Sequence, residues 1–337
     1  MIYTFTDCFF SSLGESEIKI LDRLWHNSKD RHQLYLKNLE SIKSTTWYQE
    51  LRPSYKKEIE TLYIASAQVP KKSNKITISS ITSEDCYSLI EAEAVLTTPF
   101  KIIFENIEYD AYFLESIIHC YPRLGQKIIE HKKNGWLEYC NGGGENIANV
   151  LVSLKERFES QKSEFPKDSY RYVRGFVLLD SDKQYPNDST EKSLHTIVKQ
   201  SGLAYWILQK REKENYLPIE VFEEIEKNDD FIKSIKRLKP PQLDYFDLEK
   251  GFPDKNFTQL DPEIQNLYVL ISEEDKNIFR KNKLTFYKID EKKDSFKARF
   301  SKLFSSNMVT TESMERRASS TNKDELRQII EKINELL

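Results

Sequence analysis

A chain of 337 residues with 31% charged and 39% hydrophobic side chains has room for more than one domain and a sizeable core. Its formal net charge of −3 excludes a globally basic nucleic-acid binder, although a local basic groove needs no overall excess. Four scattered cysteines, Cys8, Cys86, Cys120 and Cys140, form no CxxC pair, which gives no zinc signature and fits a reducing, cytoplasmic setting. No apolar run approaches the roughly 18 residues of a membrane span, and the opening MIYTFTDCFFSS lacks the basic start and long apolar segment of a signal peptide.

In chain order, residues from about 14 to 68 read as helical. Ile18, Leu21, Leu24 and Trp25 recur at helical spacing, and Leu34, Leu36, Leu39 and Ile42 do so more loosely. Lys75 to Ser80 alternates as a strand, and Ser83 to Leu96 follows as a helix with Ser83 as N-cap. Residues 1–96 are therefore expected to form a mainly helical N-terminal module without a catalytic signature. Next comes Lys101–Phe104, a short apolar strand ending at Glu105, and a helix capped by Asp110 with Phe113, Leu114, Ile117 and Ile118 inward. A second strand, Trp136–Cys140, ends at Gly142-Gly143-Gly144. The stripe Ile147, Val150, Leu151, Leu154 and Phe158 marks the following helix. After a polar linker, Ser160–Ser169, the run Phe176–Leu179 reads as a strand buried on both faces and ends at Asp180-Ser-Asp182. A helix over 190–200 and a fourth strand, Ala204–Leu208, lead into Gln209-Lys-Arg-Glu-Lys-Glu-Asn-Tyr216.

This alternation predicts an α/β domain with a mainly parallel sheet flanked by helices. Right-handed crossovers then bring all four strand ends to one edge, where open α/β sheets place their ligands. Asp180 and Asp182 alone are equally well a solvated turn. Four successive strands delivering acids or glycines to the same edge favour a site for a hard divalent cation.

At these residues the chain resembles the Toprim family, the acidic metal-dependent domain of topoisomerases, bacterial primases, small ribonucleases and the OLD-type nucleases of phage defence. The motif order is a Glu after the first strand (Glu105), glycines after the second (Gly142–Gly144) and Asp-x-Asp after the third (Asp180, Asp182). The OLD-like branch adds an acid soon after the first Glu, matched by Asp110. It also adds Arg-x-x-Glu-Asn-Tyr after the fourth strand, matched by Arg211 to Tyr216. The usual Gly after the first Glu is Asn106, and the turn is one residue longer. The resemblance covers roughly residues 97–220. It implies a nuclease using Mg²⁺ or Mn²⁺ held by Glu105, Asp110, Asp180, Asp182 and Glu214, with Glu212 the rival of Glu214. It further implies Arg211 or a downstream lysine to stabilise the phosphate charge. The chain has no GxxxxGK[ST] motif, so the resemblance implies a stand-alone antiviral effector controlled by a separate ATPase or sensor protein.

From Arg280 to Lys302, nine Lys/Arg stand against three acids, with Phe286, Tyr287, Phe296 and Phe300 among them. Such a stretch suits a nucleic-acid backbone as well as it suits a solvated face. Lys281, Lys283, Gly143 and Gly144 are the expected nucleic-acid contacts, with Lys283 also a candidate for catalysis. The expected catalytic domain spans 97–300. Residues 301–337 are expected as a flexible Ser/Thr-rich linker, Ser305–Asn322, and an amphipathic helix, Asp324–Leu337, docking on a partner or on another copy of the chain. Two rival functions stand beside the nuclease: a binding or scaffolding protein with a vestigial acidic site, and a Mg²⁺-dependent phosphotransferase or phosphatase.

Overall fold

The computed structural model describes residues 1–66, 75–81, 83–225, 229–252, 257–281 and 296–337. Its architecture is α/β, with two four-stranded, all-parallel sheets flanked by helices. The first sheet lies in the N-terminal module. It is built from β1 (Ile2–Phe5), β2 (Gln33–Tyr35), β3 (Lys75–Ile78) and β4 (Cys86–Tyr87) in the order β2-β1-β3-β4. Helices α1 (Glu15–Ser28), α2 (Leu39–Lys43), α3 (Thr46–Glu50), α4 (Pro53–Ser66) and α5 (Leu89–Thr97) surround it. The module expected as helical therefore carries a small sheet as well. Leu34 lies in β2 and Leu36 follows it, so their loose helical spacing is a strand and its exit. Ser88, not Ser83, caps α5, its hydroxyl accepting from the Glu91 N–H at 3.2 Å.

The second sheet is built from β5 (Phe100–Phe104), β6 (Leu137–Asn141), β7 (Gly175–Leu179) and β8 (Ala204–Ile207) in the order β6-β5-β7-β8. Between β5 and β6 lie α6 (Ile107–Cys120) and α7 (Pro122–Lys133), while α8 (Ile147–Ser160) precedes β7 and α9 (Ser193–Gln200) precedes β8. Alternate strand residues face opposite layers. Ile102, Phe104, Phe176 and Leu178 pack with Phe113, Leu114 and Ile117 of α6. Ile103, Val177 and Leu179 pack with Ile147 and Leu151 of α8 and Val198 of α9. The chain leaves β5 toward one layer and β7 toward the other, so these neighbouring strands diverge at a topological switch point, the usual ligand position in such sheets. Phe104 pairs with Leu178, which brings Glu105 and Asp180 out of the sheet side by side.

Beyond the sheet come α10 (Asp229–Arg237), α11 (Pro240–Tyr245), α12 (Pro262–Tyr268), α13 (Glu273–Lys281), α14 (Phe296–Leu303), α15 (Thr311–Ala318) and α16 (Glu325–Leu336). The stretch expected as a flexible linker instead forms α15. Thr310 caps it by accepting from the Ser313 N–H at 3.2 Å, and Met314 and Ala318 are buried. The stripe of α16 is likewise satisfied within the chain. Leu326, Ile329, Ile330 and Ile333 are fully buried in the same core as α6 and α7. Burial of each such side chain is worth ~1.5–3 kcal/mol, so this stripe is taken up by packing within the chain. The segment Ser160–Ser169, read as a linker, is also packed. Phe158, Phe165 and Tyr172 enter the core of the N-terminal module, and Lys167 forms a buried ion pair with Glu91 at 2.7 Å.

Candidate functional site

The carboxyl edge of the second sheet gathers Glu105, Asp110, Asp180, Asp182, Glu212 and Glu214. Glu105 follows β5, and its carbonyl accepts from the Gly144 N–H at 2.9 Å. The glycine turn must be glycine for two reasons. Gly143 and Gly144 have φ of 64° and 62°, and a Cβ on Gly142 would stand 2.6 Å from the Phe104 carbonyl oxygen. The turn thus lies directly against the backbone that carries Glu105.

Asn106, not Asp110, caps α6. Its side chain accepts from the Glu108 N–H at 3.0 Å, and Asp110 reaches back from within the first turn to accept the Asn106 N–H at 2.9 Å. Asp110 and Asp180 are both buried, and Lys213 stands between them. Its Nζ lies 2.6 Å from Asp180 Oδ2 and 3.1 Å from Asp110 Oδ1, and its backbone N–H donates to Asp180 Oδ1 at 3.0 Å. An extended Asp180-Ser-Asp182 would set both carboxylates on one side, but Asp182 leaves that form. Its φ of 55° turns the chain out of the extended form, and its carboxylate pairs with Lys192 at 2.5 Å. The Asp182 N–H and the Ser181 hydroxyl donate to the Arg211 carbonyl and the Lys210 carbonyl at 2.8 and 2.7 Å, tying the β7 and β8 exits together. His195 of α9 is buried, its Nε2 lying 2.9 Å from the Asp180 carbonyl.

Segment 212–216 is neither extended nor α-helical. A 3-10 turn over Lys213–Tyr216 buries Lys213, Glu214, Asn215 and Tyr216 together. Asn215 is an anchor: its amide nitrogen donates to the carbonyls of Leu243 and Phe246 at 2.8 and 2.9 Å, and its oxygen accepts the Glu212 N–H at 2.9 Å. Tyr216 is fully buried and donates to Glu325 of α16. Arg211 is held by Asp247 at 2.8 Å and lies 3.7 Å from Glu212, Lys192 pairs with Asp182, and Lys213 is the buried cation of the carboxylate cluster. Sequence reasoning passed over this lysine because a Lys between two Glu residues reads as a solvated face. Lys281 ends α13, and Lys283 lies outside the described residues, as does most of the basic stretch.

Electrostatically the cluster is short of positive charge. Burial, reinforced by Asp180, pushes the Glu105 carboxyl up to about 7. Burial and the neighbouring Glu214 push Glu212 to about 8, and burial pushes Glu214 to about 7 against the opposing pull of Lys213. Asp180 is also raised, by burial first, while Lys213 is held well above the usual lysine value because its carboxylate neighbours outweigh its burial. Crowded carboxylates of this kind call for protons or cations. An all-oxygen donor set suits Mg²⁺ or Mn²⁺, so in type and in charge the residues fit a hard divalent ion. Among the described residues no three His, Cys, Asp or Glu side chains are already drawn around one point in a metal-holding arrangement. The ammonium of Lys213 fills the gap between Asp110 and Asp180, and a cation placed there would have to displace it.

No helix of the described residues is long and apolar enough to cross a membrane. No protein-family model, curated protein or solved structure matches this chain.

Proposed function

We propose that this chain is a divalent-cation-dependent endonuclease that hydrolyses phosphodiester bonds in DNA or RNA. The observation that carries the reading is the excess of carboxylate at one sheet edge, where Asp110, Asp180 and Glu214 are buried and Glu105 and Glu212 half-buried around the buried Lys213, with Glu105, Glu212 and Glu214 pushed up to about 7 or 8. Glu105, Asp180 and Glu214 would hold Mg²⁺ or Mn²⁺, with Asp110, Asp182 and Glu212 in reserve around them. The ion would supply Lewis acidity toward a phosphoryl oxygen and ease the ionisation of water. Lys213, fixed by Asp110 and Asp180, is the chain's own source of positive charge for a phosphate entering the site. The resemblance to OLD-like nucleases supports an antiviral role under the control of a separate ATPase or sensor protein.

The test is cleavage of supercoiled plasmid and of total tRNA by the purified chain, with Mg²⁺ or Mn²⁺ against EDTA, beside Glu105→Ala. Metal-dependent cutting lost in Glu105→Ala is the expected result, and the polymer that is cut identifies the substrate. If folded, metal-supplied protein cuts neither polymer alone or with a co-purifying partner, the reading fails. The arrangement in which Lys213 replaces a metal would then make this a binding protein.

A further inference from the structure

The carboxylate edge holds cations of the chain as well as acids, and they are unevenly placed. Lys213 stands between Asp110 and Asp180, Lys192 pairs with Asp182, and Arg211 Nε lies 3.7 Å from Glu212. Asp110, Asp180, Asp182 and Glu212 thus each face a lysine or an arginine. Glu105 and Glu214 do not. Neither carboxylate forms an ion pair or a hydrogen bond with another of the described residues, although Glu214 is only 3% exposed. A buried carboxylate without a partner is costly to keep charged, which marks its surroundings as a place for a cation from outside the chain.

Lys213 has little freedom to leave its own place. Its backbone N–H donates to Asp180 Oδ1 at 3.0 Å while its ammonium donates to Asp180 Oδ2 at 2.6 Å, so both ends of the residue hold one carboxylate. The same ammonium stands 3.1 Å from Asp110 Oδ1, and the other oxygen of Asp110 accepts the Asn106 N–H. The Lys213 side chain is 8% exposed, and the turn that carries it is pinned on its far side by Asn215 and Tyr216. Asp180 also faces the unpartnered acids: its charge acts on both Glu105 and Glu214. A carboxylate offers about four lone-pair positions, so Asp180 can hold an ammonium on one side and a metal ion on the other.

In two-ion hydrolytic sites the ions stand about 3.5–4 Å apart and clamp the attacking and leaving oxygens together. We propose that the ammonium of Lys213 takes the place of the second ion, so that this chain binds a single divalent cation, on Glu105, Asp180 and Glu214. The inference rests on the reading of this edge as a metal-dependent site and adds to it the number of ions and the role of Lys213. The lysine is a resident cation of fixed position: it neutralises Asp110 and holds Asp180 in place for the ion, and unlike a second metal it cannot be removed by a chelator.

The experiment counts ions. Mn²⁺ is titrated calorimetrically into the full chain after EDTA treatment and desalting, and electron paramagnetic resonance is recorded at saturation. One Mn²⁺ per chain with an uncoupled spectrum is expected. Lys213→Met should bind two, with a spin-coupled spectrum, because Asp110 and Asp180 are then open to a neighbouring ion. Glu214→Gln should weaken the single ion by at least about tenfold. Two coupled ions in the wild-type chain, or a single ion in folded Lys213→Met, would overturn the proposal and leave the metal site standing. No saturable binding of Mn²⁺ by the folded wild-type chain would remove the metal-dependent reading itself, and this inference with it. If Lys213→Met does not fold, the wild-type count and spectrum still decide between one ion and two.

Discussion

Lys213 Nζ stands 2.6 Å from Asp180 Oδ2 at the end of β7, and both side chains are buried. A buried ion pair is weak evidence for stability, but breaking one by removing a single partner costs roughly 3–5 kcal/mol, because the other charge is left without a counter-ion. Lys213→Met should therefore lower the midpoint of urea unfolding sharply at pH 8 in EDTA. Mg²⁺ or Mn²⁺ should restore much of the loss by supplying the missing charge. Cleavage should remain impaired after this rescue if Lys213 also serves the phosphate. Stability unaffected by the substitution would mean that the pair is dispensable.

The raised carboxyls give a pH dependence with a definite sign. An acid whose pKa rises on folding binds more protons in the folded state, so its contribution is most favourable below the ordinary value of 4.5. That contribution is lost as pH rises through about 7 for Glu105 and Glu214 and about 8 for Glu212. In EDTA the melting temperature should fall as pH rises from about 4.5 to about 8, the range between the ordinary and the folded-state values of these carboxyls. Glu212→Gln, which removes the most strongly raised of the three, should raise it at pH 8 and leave it nearly unchanged at pH 5. Added divalent cation should flatten the wild-type profile. A wild-type melting temperature that rises steadily across the same interval would contradict the charge excess.

The second sheet was legible because β5, β6, β7 and β8 are each short apolar runs ending in acids or glycines, with helical stripes between them. The parallel order and the shared edge then follow from the handedness of the crossovers. The sheet of the N-terminal module was not legible in full. Gln33–Tyr35 is three residues long, and Ile2–Phe5 is four residues of near-continuous bulk with no alternation to count. The stripe of α16 was visible, but a stripe does not name what covers it, and here α6 and α7 of the same chain do so. Ser305–Asn322 read as linker because Ser and Thr favour turns, yet the same residues cap helices, as Thr310 does for α15. At the site, Glu105 and Asp180 could be placed from strand ends, whereas Asp110 and Glu214 were singled out by the resemblance to OLD-like domains. The turn of Asp182 away from Asp180, through its positive φ, could not be read from residue types.

The two α/β units are joined by a second buried pair. Glu91 of α5 accepts from Lys167 Nζ at 2.7 Å and from the Tyr172 hydroxyl. Burial alone would raise Glu91, but these bonds and the Ser88 N–H hold it below the usual range. Its stabilising contribution is thus present at neutral pH and lost as pH falls through its folded value. Glu91→Ala should cost ~3–5 kcal/mol by stranding Lys167. The double substitution Glu91→Leu with Lys167→Met should recover a large part of that, as measured by urea unfolding. Additive losses in the double variant would show that the two residues act independently.

A third polar network ties the C-terminal helices to the candidate site. Glu325, fully buried at the start of α16, accepts from Trp206 Nε1 at 3.1 Å, from the Gln209 N–H at 2.9 Å and from the Tyr216 hydroxyl. Three donors on the strand and turn that deliver Lys213 and Glu214 thus converge on one carboxylate from the far end of the chain. Below them Asp244 holds Lys210 Nζ at 2.5 Å and Arg317 of α15. Glu325→Ala would leave three buried donors without an acceptor, a loss of roughly 1–3 kcal/mol for each that finds no substitute. Glu325→Gln keeps one acceptor oxygen and should lose less. Under the proposed function, Glu325 is a positioning residue. Glu325→Gln should lower kcat while leaving the metal concentration for half-maximal activity within about twofold, because none of the carboxylates proposed to hold the ion is changed. Tyr216→Phe should give a milder form of the same effect. A Glu325→Gln variant with normal kcat and a lowered melting temperature would restrict Glu325 to holding the fold.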